Sequence, residues 1–156
     1  MSRINRIDSD VAKLVGEVGK ACLLTRTRRI SRVITAIYDG AMRPHGISSP
    51  QFSLLVVIAR LNGASRAEIG RANRQDRSTL TRNLALLIDQ GLIEEVIPEA
   101  GRSRPILITD AGRDLLASAG ASWRSAQAKA KRLLGEEGVT AIASLADRIP
   151  AEHVHA

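Results

Sequence analysis

A single cysteine, Cys22, excludes an intramolecular disulfide, and the three histidines (His45, His153 and His155) do not complete the ligand spacing of a zinc site around it. Aromatic residues are as scarce. Tyr38, Phe52 and Trp123 are the full set, too few for the stacking on which single-stranded RNA recognition relies. No Gly-rich phosphate loop and no nucleophile elbow occurs, so the enzyme classes built on those motifs drop out, and neither a cofactor nor a metal is expected. No apolar run is long enough to span a bilayer, and the N-terminus lacks the apolar core of a secretory signal. With the lone thiol, these features predict a soluble chain in the reducing cytoplasm, without a membrane partner. There is no internal repeat or low-complexity linker, and the tail from Pro150 to Ala156, with its His153 and His155, reads as a frayed end.

What the chain does have is positive charge. A net charge of +7 and an isoelectric point near 10.7 favour an anionic partner, nucleic acid first and an acidic membrane surface second. A length of 156 residues and 44% hydrophobic content suit one domain, or one domain with extensions. From Ser65 to Pro105 seven arginines (66, 71, 74, 77, 82, 102, 104) face six acids (68, 76, 89, 94, 95, 99), so the placement of charge matters more there than its sum.

The stretch from Asp76 to Leu84, closed by Gln90-Gly91-Leu92-Ile93, reads as a helix built to enter a DNA groove. Asp76 can cap its first turn, and Gly91 can end it in a left-handed conformation. Leu80, Leu84, Leu87 and Ile88 recur at helical spacing toward a core, while Arg77, Ser78, Thr79, Thr81 and Arg82 supply cationic and hydrogen-bonding groups for base edges and phosphates. Upstream, Ser65-Arg66-Ala67-Glu68 has capping-box spacing and opens a helix that runs to about Asn73. Two short helices and a tight turn make a helix-turn-helix, with Ser65, Arg66 and Arg74 as further DNA contacts. Downstream, the β-branched runs Leu92–Ile97 and Pro105–Thr109 flank a Pro, Gly and Ser segment that carries Arg102 and Arg104, a basic hairpin placed where a wing belongs.

These segments, together with Tyr38-Asp39, the run from Gly46 to Leu55, and Ile108-Thr109-Asp110-Ala111-Gly112, resemble the MarR family of winged-helix transcriptional regulators over most of the chain. The resemblance implies a symmetric dimer whose two winged domains read a pseudo-palindromic operator in double-stranded DNA. It maps the recognition helix onto Asp76 to Gln90 and the wing arginine onto Arg102, seven residues before Thr109. Two positions depart from the family pattern: the aspartate expected two residues before the wing arginine is Ala100, and the turn is Asn73-Arg74-Gln75 instead of apolar-Gly-apolar. The expectation is that Asn73 takes the left-handed conformation and Arg74 adds a phosphate contact.

The resulting fold class is mainly α (α+β): one chain, 1–156, with a winged helix-turn-helix DNA-binding part at 50–109, and helices at 8–44 and 110–149 forming a dimerisation region. Ser49 and Pro50 read as the cap and first residue of a helix reaching Asn62-Gly63, and Thr109 as the cap of a long helix, with a last helix from about Glu136. In the N-terminal helix, Gly16 and Gly19 mark the candidate break.

Function follows as a homodimeric repressor released from its operator by a small aromatic or anionic effector, with Arg32, Tyr38, Met42, His45 and Phe52 as candidate effector contacts. Two alternatives stand beside it. One is a peroxide-responsive switch through Cys22, with Arg26 one turn away to favour the thiolate, against which a small thiol on the stripe of Val15 and Val18 reads more simply as packing. The other is an unregulated architectural nucleic-acid-binding protein, which predicts weak sequence preference.

Overall fold

The computed structural model describes residues 8–97 and 104–149. Its elements are α1 (Ser9–Ala21), α2 (Leu23–Met42), a 3-10 turn at Arg43–His45, α3 (Ser49–Leu61), α4 (Arg66–Asn73), α5 (Arg77–Asp89), β1 (Ile93–Glu95), β2 (Ile106–Ile108) and α6 (Asp110–Arg148). The architecture is mainly α with one antiparallel two-stranded sheet, as expected. Contacts divide the chain into two compact units after Thr35, inside α2.

In the first unit, α1 carries Val11, Leu14, Val15 and Val18 at helical spacing, all exposed. The helix passes through Gly16 and Gly19 without interruption and stops at Cys22, whose ψ of 112° is extended. The expected break at the glycines is therefore corrected to Cys22. A glycine inside a helix costs only about 1 kcal/mol, which neighbouring turns absorb. At Cys22, by contrast, the chain turns out of one helix and starts the next.

In the second unit, α3 is the centre of the core. Leu54, Leu55 and Ile58 are fully buried along it and pack in one cluster with Met42, Ile69, Leu84, Leu87 and Ile106. Its cap is Ser48, one residue earlier than expected. The Ser48 hydroxyl accepts from the Gln51 amide at 3.4 Å, while Gln51 Oε1 accepts from the Ser48 amide at 2.8 Å. Pro50 then sits in the first turn, where its missing amide proton is harmless. Asp39 Oδ1 takes the Ser49 amide at 2.7 Å and ties the end of α2 to the start of α3.

The strands pair Ile93 with Ile108, Glu94 with Leu107 and Glu95 with Ile106. They are shorter than the β-branched runs suggested, because only three residues on each side form rungs. Ala64 bridges Ile106 from the other edge, so the loop before α4 is stitched to the sheet. Thr109 caps α6 as expected, accepting from the Gly112 amide at 3.1 Å. The helix is interrupted at Gly135 (φ 67°, ψ 168°), immediately before the residue at which a separate last helix was expected. Among the described residues no helix is long and apolar enough to cross a membrane.

Candidate nucleic-acid interface

The local chemistry that builds the helix-turn-helix starts at Ser65. Its amide and hydroxyl both donate to Glu68 Oε2, at 2.8 and 2.7 Å, and the Glu68 amide returns to the Ser65 hydroxyl at 3.4 Å. The hydroxyl proton given to Glu68 holds that carboxylate below its ordinary range. The Ser65 hydroxyl is thus engaged as both donor and acceptor in capping α4. At the other end the left-handed residue is Arg74 (φ 50°), and Asn73 is the last residue of α4, which corrects the expectation for Asn73. Arg74 Nη1 reaches the Ala146 carbonyl of α6 at 3.4 Å.

Asp76 opens α5. Its Oδ1 accepts the Thr79 amide at 2.9 Å and the Ser78 hydroxyl at 2.7 Å. The bonds from Thr79, then those from Ser78, hold the carboxyl far below the usual carboxylate range. Leu80, Asn83, Leu84 and Leu87 are buried on one side of the helix, and Ile88 packs partly against the same core. Arg77, Ser78, Thr81 and Arg82 are exposed. At 100° per residue the exposed set occupies an arc of about 140°, with Arg77 and Arg82 at its two flanks and Thr81, Ala85 and Ser78 between them. Thr79 is half-buried. The Thr81 hydroxyl donates to the Arg77 carbonyl at 2.8 Å, so Ser78 and Thr81 both present acceptor lone pairs outward. Arc, charge and hydroxyls together make a surface that fits a major groove, cationic at its edges and hydrogen-bonding at its centre.

Between α4 and α5 runs a groove of about 610 Å³ lined by Arg71, Gln75 and Arg77 above an apolar bed that includes Leu80 and Leu84. Gln75 Oε1 is buried there with no hydrogen-bond donor among the described residues. Arg71 and Gln75 were not among the expected DNA contacts, although Arg71 on α4, close in sequence to the turn arginine Arg74, was a usable signal. Buried Asn83 on α5 was also missed, since nothing in a stripe of leucines points to a polar member.

Arg66 is not a free surface cation. Its Nε and Nη2 donate to the two carboxylate oxygens of Glu95 on β1, each at 3.0 Å. That bidentate bond raises the Arg66 pKa and lowers that of Glu95. Glu95 was missed because a pair 29 residues apart leaves no local pattern. Arg104 is exposed at the start of the second wing arm. Arg102, the expected wing arginine, lies outside the described residues.

The expected effector contacts differ in burial. Met42 is wholly buried in the core. Tyr38, half-buried, donates its hydroxyl to Gln127 Oε1 on α6, and burial raises its pKa. His45 Nε2 shares a hydrogen bond with the Ser122 hydroxyl, also on α6, at 2.9 Å. Phe52 packs partly buried against the core, and Arg32 is exposed on α2 in the first unit. A cavity of about 380 Å³ near Tyr38 and His45 in sequence is lined by Asp39, Arg43, Gly46, Ile47, Ser48 and Gln51, none of which was expected to border one. Cys22, in the first unit, is half-buried at the helix break. Hydrogen bonds from the Thr25 side chain, then its backbone, lower the thiol pKa. The Arg26 guanidinium instead donates to the Lys20 carbonyl, so the group that favours the thiolate is Thr25 and not Arg26.

The family model described as "MarR family" matches residues 45–103. Among solved structures, the Mycobacterium tuberculosis transcriptional regulator MosR is 31% identical, covers 82% of this chain and 95% of its own, and superposes with a TM-score of 0.69. MosR in complex with DNA is 32% identical over 82% of this chain and 99% of that one, with a TM-score of 0.63. A MarR family protein of M. tuberculosis in complex with p-aminosalicylic acid is 25% identical, with 82% and 98% covered and a TM-score of 0.62. No curated protein sequence matches.

Proposed function

This chain belongs to the MarR family of transcriptional regulators, and on that premise we propose that it is a homodimeric repressor that binds a pseudo-palindromic operator and leaves it when a small aromatic or anionic molecule binds. The observation that carries the DNA-binding part is the exposed arc of α5, flanked by Arg77 and Arg82 and backed by buried Leu80, Leu84 and Leu87. Arg74, Arg104 and Arg102 supply the neighbouring contacts. Dimerisation rests on apolar side chains for which a small winged domain has no use. On α6, Leu133 and Leu145 are more than half exposed, and Trp123 and Ile142 more than a third. Two linked reading heads raise affinity and match the symmetry of the site. The complex of a 25% identical relative with p-aminosalicylic acid supports the effector class. Tyr38, His45 and Phe52, all in the second unit, are the candidate contacts.

The test is fluorescence anisotropy of the reduced protein on the duplex upstream of its own gene, against a scrambled duplex at moderate salt. Selective binding with two chains per site is the expected result, followed by release on addition of p-aminosalicylic acid. Equal, weak, strongly salt-dependent binding to both duplexes would instead support the architectural alternative.

A second reading is favoured by the placement of the free thiol of Cys22 at the break between α1 and α2, beside Thr25, whose hydrogen bonds lower its pKa. In it the thiolate sulfur attacks the terminal oxygen of an organic hydroperoxide; the S–O bond forms as the O–O bond breaks, leaving a sulfenic acid and an alkoxide that is protonated to the alcohol. The sign of the shift sets the prediction. A lowered pKa keeps more thiolate at any pH below the ordinary thiol value, so the pH midpoint for alkylation by iodoacetamide should be lower in the folded protein than in the urea-unfolded chain. Coincident midpoints would remove the activated thiol, and with it the peroxide switch.

A further inference from the structure

We propose that Glu95 is a positioning residue for DNA recognition: it clamps Arg66 of α4 to the base of the wing and so sets the direction in which the wing arms leave the helix-turn-helix, without touching nucleic acid itself. This role rests on the DNA-binding function proposed above and adds a specific residue to it.

The clamp lies where three backbone segments run side by side. Ile106 is the middle member of three adjacent backbones, bridged to Ala64 on one side and paired with Glu95 on the other. Arg66 begins α4 two residues after Ala64, and its guanidinium reaches Glu95, so the side-chain bond spans the position that Ile106 occupies in the backbone ladder. Beside the three-rung β1–β2 ladder, the backbone bonds at Ile106 and next to it are Gly63 N to Ile106 O at 3.1 Å, Ile106 N to Ala64 O at 3.0 Å and Val96 N to Pro105 O at 2.9 Å. Three-residue strands form a weak hairpin on their own, free to pivot about so short a ladder. The two parallel N–H···O bonds from Arg66 fix angle as well as distance, which a single bond does not.

Charge points the same way. The Glu95 side chain is 19% exposed and the Arg66 side chain 42%, so the acid is the more enclosed partner. Arg104, on the opposite wing arm, also lowers the Glu95 pKa through its positive charge. The carboxylate therefore lies within the field of two arginines, one on the reading head and one on the wing. Without it, both cations remain at the wing base without the charge of Glu95 to offset their repulsion, and the arms lose their common anchor.

The experiment uses the full chain and the duplex upstream of its own gene. Glu95→Gln keeps the size of the side chain and removes its charge. It should weaken binding about tenfold, within the range by which residues that do not touch the ligand alter its binding, and abolish hydroxyl-radical protection at the flanks of the site while protection at its centre persists and the thermal midpoint stays near that of the wild type. Reversing the pair, with Arg66→Glu and Glu95→Arg together, should restore the flanks, which no purely destabilising change would do. Unchanged affinity in Glu95→Gln overturns the proposal. So does tighter binding with a steeper salt dependence, which would mean that a freed Arg66 takes a phosphate, and so does a loss spread over centre and flanks alike with a lowered midpoint. Failure of the wild type to bind any duplex selectively strikes the DNA-binding function itself, and the clamp falls with it; selective wild-type binding that Glu95→Gln leaves intact strikes the clamp alone.

Discussion

Gly112→Ala should cost about 3 kcal/mol of folding stability or more, read as a fall in the urea midpoint. Gly112 lies in the first turn of α6, where its amide donates to Thr109. A Cβ built on it would stand 2.2 Å from the Leu92 carbonyl oxygen and 2.7 Å from Ile108 Cγ1. Neither neighbour can retreat cheaply. Leu92 is held by its amide bond to Leu87 O at 2.9 Å, and its carbonyl accepts the Thr109 amide at 3.1 Å. Overpacking against side chains typically costs 1–3 kcal/mol, and a clash with hydrogen-bonded backbone belongs at or above the top of that range. Gly40 is the internal control. It sits within α2 with nothing near its missing Cβ, so Gly40→Ala should instead stabilise by roughly 0.5 to 1 kcal/mol. Equal midpoints for the two variants would refute the close approach.

Replacing both Arg77 and Arg82 with alanine should lower affinity for the operator by roughly 2 to 6 kcal/mol, the sum for two base-reading arginines at 1 to 3 kcal/mol each. The two residues stand at opposite flanks of the exposed arc of α5, far enough apart on the helix to contact different base pairs or opposite walls of the groove. Among the described residues neither is tied into the fold through its guanidinium as Arg66 is, so stability should be nearly unchanged. Arg82→Ala alone separates the modes of contact. Relaxed discrimination at one base pair marks a base contact; a uniform loss across sequences, with a salt slope reduced by about one, marks a phosphate contact. Full affinity in the double variant would move the recognition surface off α5.

The reading head was legible from sequence because its chemistry is local. Capping by Ser65 and Glu68, capping by Asp76, and a left-handed Gly91 (φ 69°) each involve residues within four positions, and all three stand where the spacing put them. Thr109 is legible for the same reason. What was misread concerns choices between neighbours with similar local cost. Asn tolerates the left-handed region better than Arg, yet Arg74 takes it, because α4 continues through Asn73 and the chain turns only afterwards, leading Gln75 into the groove. Ser48 and Ser49 are equally good caps by type, and it is the reach of Gln51 back to Ser48 that decides between them. The helix break falls on Cys22, a residue with no turn signature of its own. Contacts between distant segments, such as Glu95 with Arg66, Tyr38 with Gln127 and His45 with Ser122, have no sequence pattern to betray them.

The interruption at Gly135 has a mechanical consequence. Thirty-nine residues of unbroken helix would make a stiff rod of about 58 Å, able to carry a push or a twist from one end to the other. A backbone at φ 67° and ψ 168° breaks the ladder through which such a load travels, and a residue with a Cβ would resist that conformation. The lever therefore ends at Gly135. Beyond it, the segment that includes Ala146 is coupled to the turn between α4 and α5 through Arg74, so this short arm is geared to the reading head, while the longer arm before it answers to Tyr38 and His45 through Gln127 and Ser122.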